Sequence, residues 1–180
     1  KERDEVAEIL KSGGVIAYPT DTVYGLGGDP RNKNAVSRLL DIKQRPEELG
    51  LILLGSSTYG IEDWIDITAQ QKEVLENSTG FPTTYLVPKT GAAPSWITGN
   101  HVSVAIRITQ KEPVPAFHFA LGSPIVSTSA NFHGGDGLDS FKAVQNVLSD
   151  IVDYVVEGPA DSSAKPSKIV DILTNEVIRG

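Results

Sequence analysis

Leu51-Ile52-Leu53-Leu54 is the stretch that most restricts the architecture of this chain. An aliphatic run without polar alternation, too short for a buried helix, reads as a strand covered on both faces. Such a strand needs a layer above and a layer below, which implies helices packed on a sheet. The residues just before it supply one such helix. Val36, Leu39, Leu40 and Lys43 recur on neighbouring turns of a helix predicted over 33–43. Pro46 closes it, because proline disfavours helical geometry in the residue before it.

The same alternation runs along the whole chain. Val6, Ile9 and Leu10 have helical spacing over 3–11, and Gly13-Gly14 stops that helix. VIAYP (15–19) reads as a strand and TDTVYGLGGDP (20–30) as a loop. Thr68 is an N-cap candidate for a helix over 68–77. TTYLVP (83–88) and VSVAIRI (102–108) read as strands. In the second of these Val102, Val104, Ile106 and Ile108 alternate, so Arg107 faces the opposite side. A helix over 114–121 precedes the strand PIVSTS (124–129), and a helix over 140–148 is capped by Ser140. DYVVE (153–157) and KIVDIL (168–173) are late strands, and EVIRG (176–180) can pair with the latter across Thr174-Asn175. These elements predict one α/β domain over 1–180, a mixed sheet flanked by helices.

Composition removes several function classes. With 180 residues, 39% hydrophobic and 22% charged, the chain reads as an ordinary soluble globular protein. No apolar run approaches the roughly 20 residues that span a bilayer, and the charged KERDEVAEIL start is no signal peptide. There are no cysteines, which excludes disulfides and thiolate metal sites, and three scattered histidines argue against a zinc site. No membrane partner and no protein-bound metal are expected, and the cytoplasm is the expected compartment. A net charge of −7 argues against broad binding of nucleic acid, while leaving room for a local basic patch.

Three polar stretches sit beside predicted strands, where open α/β sheets usually hold ligands. YPTDTVYGLG (18–27) gathers Thr20, Asp21, Thr22 and Tyr24 ahead of glycines that let backbone approach a ligand, and it also has the composition of a plain turn. Lys43-Gln44-Arg45-Pro46 offers a point charge and a planar fork suited to phosphate or carboxylate. It reads equally as a solvated helix end, since cations there are favoured by the macrodipole. SPIVSTSAN (123–131) places Ser127, Thr128, Ser129 and Asn131 around a strand end, either as a phosphate or sugar site or as a hydroxyl-rich turn. No P-loop motif occurs.

Taken in order, YPTDTVYGLG, KQRP and STSAN resemble the YrdC/Sua5 family, the L-threonylcarbamoyl-AMP synthases, from about residue 5 to the end. SVAIR (103–107) and KPSKIVD (165–171) resemble further family segments. The resemblance implies a twisted mixed sheet around a concave cleft, the YrdC-like fold in its short, single-domain form. It implies ATP, L-threonine and bicarbonate as substrates, with Mg²⁺ on the phosphates. The products would be L-threonylcarbamoyl-AMP and pyrophosphate. Other proteins, threonylcarbamoyl transferases, would then pass the group to an adenosine next to the anticodon of certain tRNAs, so tRNA or another RNA is a further expected partner.

Carried over by motif position, Lys43, Arg45, Ser129 and Asn131 form the nucleotide site, with Ser167 beside them. Thr22 and Tyr24, together with Thr20 and Arg107, match the threonine pocket. The chain departs from the family pattern at NSTGFPTTY (77–85), where a tryptophan is replaced, and in the glycine-poor stretch 157–165. The implied chemistry gives KQRP a purpose. A carbamate oxygen must attack the α-phosphate of ATP, so two anions meet, and Lys43 and Arg45 would offset their repulsion. Arg38, one to two turns earlier, is expected to be solvated. Competing readings are carbamoyl adenylation, known from larger proteins with a related domain, and a non-catalytic RNA-binding module of the same fold.

Overall fold

The computed structural model describes residues 2–20, 23–77, 81–130, 140–160 and 166–180. Its strands are β1 (Ile16–Tyr18), β2 (Gly25–Gly28), β3 (Ile52–Gly55), β4 (Thr83–Pro88), β5 (Ser103–Ile108), β6 (Ile125–Ser129), β7 (Tyr154–Val155), β8 (Lys168–Asp171) and β9 (Val177–Arg179). They form one sheet in the order β7-β1-β2-β6-β3-β5-β4-β8-β9. The aliphatic run at 51–54 supplies β3, the middle strand of the nine, with Leu53 in the core and Ile52 and Leu54 on the face that lines the cavity, so cover on both faces is only partial. The sheet is mixed: β3 and β5, β4 and β8, and β1 and β7 run parallel, and the other neighbours are antiparallel.

The helices are α1 (Glu2–Lys11), α2 (Lys33–Lys43), α3 (Ala69–Glu76), the single turn α4 (Ser95–Thr98), α5 (Val114–Leu121) and α6 (Phe141–Leu148). Local chemistry sets several of their ends. Asn32 caps α2 by accepting from the Ala35 N–H, Thr68 and Gln71 close a reciprocal capping box on α3, and the Ser140 hydroxyl caps α6.

The two sheet faces differ in how they are covered. Val36 and Leu39 of α2, Leu75 of α3, and Val144 and Leu148 of α6 bury one face together with Leu26, Leu53, Val104, Ile106 and Val126. On the other face α1 and α5 cover only the part around Ile16, Tyr18, Leu54 and Ile125, through Val6, Leu10, Val114 and Phe117. The remainder of that face is open and forms the floor of a cavity.

Three expectations change. The 20–30 segment is not all loop, because Gly25–Gly28 is a strand hydrogen-bonded to β1 on one side and β6 on the other. Its glycines answer to packing: a Cβ on Gly27 would sit 2.8 Å from the Val126 carbonyl oxygen and 2.9 Å from the Tyr18 ring. Val102 precedes β5 and is 82% exposed, whereas Val104 and Ile106 are core and Arg107 faces away from them as the alternation predicts. Arg38 is engaged, through Asp153 and the Ile151 carbonyl, rather than merely solvated.

Candidate functional site

The open half of the sheet forms a cavity of about 720 Å³, within the size range of small-molecule sites. Strand register explains its chemistry. Arg179 of β9 pairs with Ile169 of β8, which pairs with Thr84 of β4, which pairs with Arg107 of β5, which pairs with Leu54 of β3. This single row across the sheet lies on the cavity floor and carries two guanidinium groups on either side of a threonine hydroxyl. One pleat further along, Leu86, Ala105, Ile52 and Ser127 form a second, small and mostly apolar row. The site thus crosses the face of the sheet and is not confined to the strand ends that the sequence pattern pointed to.

KQRP sits at the rim. Gln44 adopts a left-handed conformation, φ 50° and ψ 41°, with its N–H bonded to the Leu40 and Asp41 carbonyls. That turn ends α2 and sends Arg45 away from the helix axis. Arg45 lines the cavity and donates from Nε to the Gly50 carbonyl at 3.0 Å. Lys43 is half-buried on the last turn of α2 and stands outside the cavity lining. Burial, and then the neighbouring Arg45 charge, hold the Lys43 ammonium below the usual lysine range, and burial lowers Arg45 likewise. Cations withdrawn from water next to each other favour the arrival of an anion.

Part of the floor is a hydrogen-bonded group. The Ser167 hydroxyl lies 2.8 Å from that of Thr84, both buried, and Arg179 donates from Nη2 to the Ser167 carbonyl at 2.7 Å and from Nε at 3.1 Å. Arg107 is 8% exposed, pairs with Thr84 of β4 and lines the cavity floor.

The remaining predicted residues fall at the β2–β6 end. Thr20 lines the cavity, with its hydroxyl donating to the Val23 carbonyl at 2.6 Å. Ser129 lines it from the exposed end of β6. Tyr18 donates to the Ser127 hydroxyl at 2.6 Å and so orients one floor oxygen. Tyr24 touches the cavity, yet its side chain is fully buried in the core, and its hydroxyl reaches the carbonyls of Val156 at 2.7 Å and Gly158 at 2.9 Å. Thr22 and Asn131 lie outside the described residues.

Seven predicted residues are thus described: Thr20, Tyr24, Arg45, Arg107, Ser129 and Ser167 share one cavity, and Lys43 is outside its lining. Sequence reasoning passed over Thr84, His101 and Arg179, which also line it. The alternation of TTYLVP could have flagged Thr84 as facing away from the buried Val87. Nothing local to His101 or Arg179 marks them. Among the described residues no group of three or more Asp, Glu, His or Cys side chains converges to hold a metal ion.

Comparison with known proteins bears on this cavity. The Sua5/YciO/YrdC family model, described as telomere recombination, matches residues 8–180. The threonylcarbamoyl-AMP synthase of Xanthomonas axonopodis pv. citri (strain 306) is 42% identical over 180 residues, covering 98% of this chain and 96% of the relative. The structure of P. abyssi Sua5 complexed with L-threonine superposes with a TM-score of 0.84 at 27% identity, covering 94% of this chain. The chain spans about half of that protein, 50% of its length. E. coli YciO, at 23% identity and a TM-score of 0.80 over 99% of this chain and 90% of its own, shares the fold.

Proposed function

The chain belongs to the Sua5/YciO/YrdC family, and from that premise we propose that it makes L-threonylcarbamoyl-AMP and pyrophosphate from L-threonine, bicarbonate and ATP. The observation that carries the reading is the convergence of Arg45, Arg107, Ser129 and Ser167, far apart in sequence, on one cavity of about 720 Å³. The 42% identity to a threonylcarbamoyl-AMP synthase over nearly the full chain supports it.

The chemistry balances without a covalent enzyme intermediate. The threonine amine and bicarbonate give a carbamate and water. A carbamate oxygen then bonds to the α-phosphorus of ATP while the bond to the pyrophosphate oxygen breaks. The barrier comes from bringing two anions together and spreading charge over the phosphoryl oxygens. On this reading Arg45 and Lys43 act at the phosphates from the rim, with Ser129, Asn131 and Ser167 as neutral donors and acceptors for the nucleotide. Arg107 faces the carboxylate of threonine, and Thr20 and the 22–24 segment form the rest of its pocket. The protein supplies position and preorganised charge. Mg²⁺ arrives on the ATP phosphates as part of that substrate.

The threonylcarbamoyl group would pass to a tRNA adenosine through separate transferase proteins, in the cytoplasm. No described helix is long and apolar enough to cross a membrane.

The test is pyrophosphate release from ATP and bicarbonate with purified protein. A site that hydrogen-bonds a substrate hydroxyl rejects the analogue lacking it, so L-threonine should exceed the similarly shaped L-valine by roughly 10²-fold or more. Equal rates would remove the threonine pocket. Release independent of any amino acid would remove the synthase reading, and no release with any amino acid would leave the non-catalytic RNA-binding alternative.

A further inference from the structure

Arg45 enters the cavity from a segment with little structure of its own. Among the described residues its guanidinium is bonded to one group, the Gly50 carbonyl. Gly50 lies at the end of a short turn, Glu47–Leu49, and has φ +74°. Leu49 is half exposed, so side-chain packing contributes little to holding this turn.

What fastens it is α4 and the residues just after it, about fifty residues later. The Leu51 N–H bonds the Ile97 carbonyl at 2.9 Å, and the Asn100 N–H bonds the Glu48 carbonyl at 2.9 Å. Gly99, at φ +58°, allows the two backbones to touch: a Cβ there would lie 2.3 Å from the Glu48 oxygen. One side chain completes the clasp. His101 Nε2 lies 3.0 Å from the Leu49 carbonyl oxygen, and since a carbonyl only accepts, Nε2 carries the proton. His101 itself lines the cavity. Its bond fixes the peptide that joins Leu49 to Gly50, immediately before the carbonyl on which Arg45 rests.

Building on the synthase reading, we propose that His101 is a positioning residue: it orients the Leu49–Gly50 peptide so that the Gly50 carbonyl holds the Arg45 guanidinium in the cavity. The histidine has no contact with the reacting atoms in this scheme. Its effect is transmitted through the backbone, and it disappears when Arg45 is absent.

Two measurements test this independently. In nitrogen-15 NMR, the Arg45 Nε–H should exchange slowly with water in the wild type and on the order of tenfold faster in His101→Ala, as expected for loss of one supporting hydrogen bond. His101→Gln, which carries an amide N–H at similar reach, should restore the protection. In the pyrophosphate assay, His101→Ala should lower kcat by roughly three- to tenfold with little change in KM for L-threonine or in melting temperature. The same substitution should have no further effect in an Arg45→Ala background. Unchanged Arg45 exchange in His101→Ala, or an equal kcat loss with and without Arg45, overturns the proposal. If the wild type releases no threonine-dependent pyrophosphate, the synthase reading fails, while the NMR comparison still decides whether His101 positions Arg45.

Discussion

Arg38 of α2 and Asp153, just before β7, form an ion pair from Nη1 to Oδ2, and the same carboxylate oxygen accepts the Val15 N–H at 2.8 Å. Arg38 also donates to the Ile151 carbonyl at 2.7 Å. One carboxylate thus ties a helix on one face of the sheet to the adjacent strands β1 and β7. Burial by itself would raise the Asp153 carboxyl. The Val15 N–H and then the bond and charge of Arg38 outweigh it and leave the group below its ordinary 3.8.

Arg38→Ala should therefore not be silent. The pair is partly exposed, so its loss together with the Ile151 bond should cost about 1 kcal/mol, a melting decrease of roughly 2–4 °C. Pyrophosphate kinetics should not change. Because the folded pKa of Asp153 is depressed, its contribution is complete above the unfolded value near 3.8 and is lost as pH falls through the lower folded value. Urea melts of wild type and Asp153→Asn should differ at pH 7, and the difference should shrink as the pH is taken down below 3.8.

Tyr24→Phe separates a structural hydroxyl from a substrate contact. The hydroxyl reaches two carbonyls in the segment after β7 and is fully buried. Its removal leaves those acceptors short of a donor, at a cost of about 1–3 kcal/mol. We expect a lower melting temperature with KM for L-threonine within about twofold of wild type, since no polar atom of the ring remains for the ligand. A large rise in KM with unchanged stability would return the hydroxyl to the threonine pocket.

Arg45 should show dependence on geometry as well as charge. Arg45→Lys keeps a cation and loses the planar fork, including the Nε–H that meets Gly50. Arg45→Ala loses both. Activity should fall in the order wild type, Arg45→Lys, Arg45→Ala, the last by on the order of 10²–10³. Steady-state pyrophosphate release is the measurement, and an alanine variant as active as wild type would return KQRP to a plain helix end.

His118 is expected to give the fold a pH dependence near neutrality. Its ring is buried in α5, with Nδ1 accepting the Ser56 N–H at 3.0 Å and Nε2 donating to the Tyr59 carbonyl at 2.9 Å. Burial pushes its pKa below 6.5, against opposing influences from the Tyr59 carbonyl and from Glu62 and Glu76. The unfolded chain takes up a proton near pH 6.5 that the folded state refuses until lower pH. Stability should therefore decline as pH falls below about 6.5 and level off beneath the folded value. The urea midpoint measured from pH 7.5 to 5 should show this slope in wild type and lose most of it in His118→Gln.

Much of the fold was legible because it rests on short-range signals. Thr68 and Ser140, which the sequence offers as caps, each satisfy a backbone donor three residues on, and Asn32 does the same for α2. Period-two alternation in SVAIR predicts that Arg107 faces away from Val104 and Ile106, and it does. The strand Gly25–Gly28 was illegible because glycine has no strand preference of its own. Its neighbours β1 and β6 create it by hydrogen bonds on both sides.

The sequence by itself determined the α/β class, the strand at the 51–54 run and the family, since composition, period and motif order are properties of the chain alone. Only the tertiary structure decided which side chains meet. Sheet order brings Arg179, Thr84 and Arg107 into one row. It also pairs Arg38 with Asp153 and sets His101 against the turn that holds Arg45. Such contacts join residues whose separation along the chain carries no period and no local free-energy preference. They exist because strand register and helix packing, satisfied over the whole molecule, leave those groups within bonding distance.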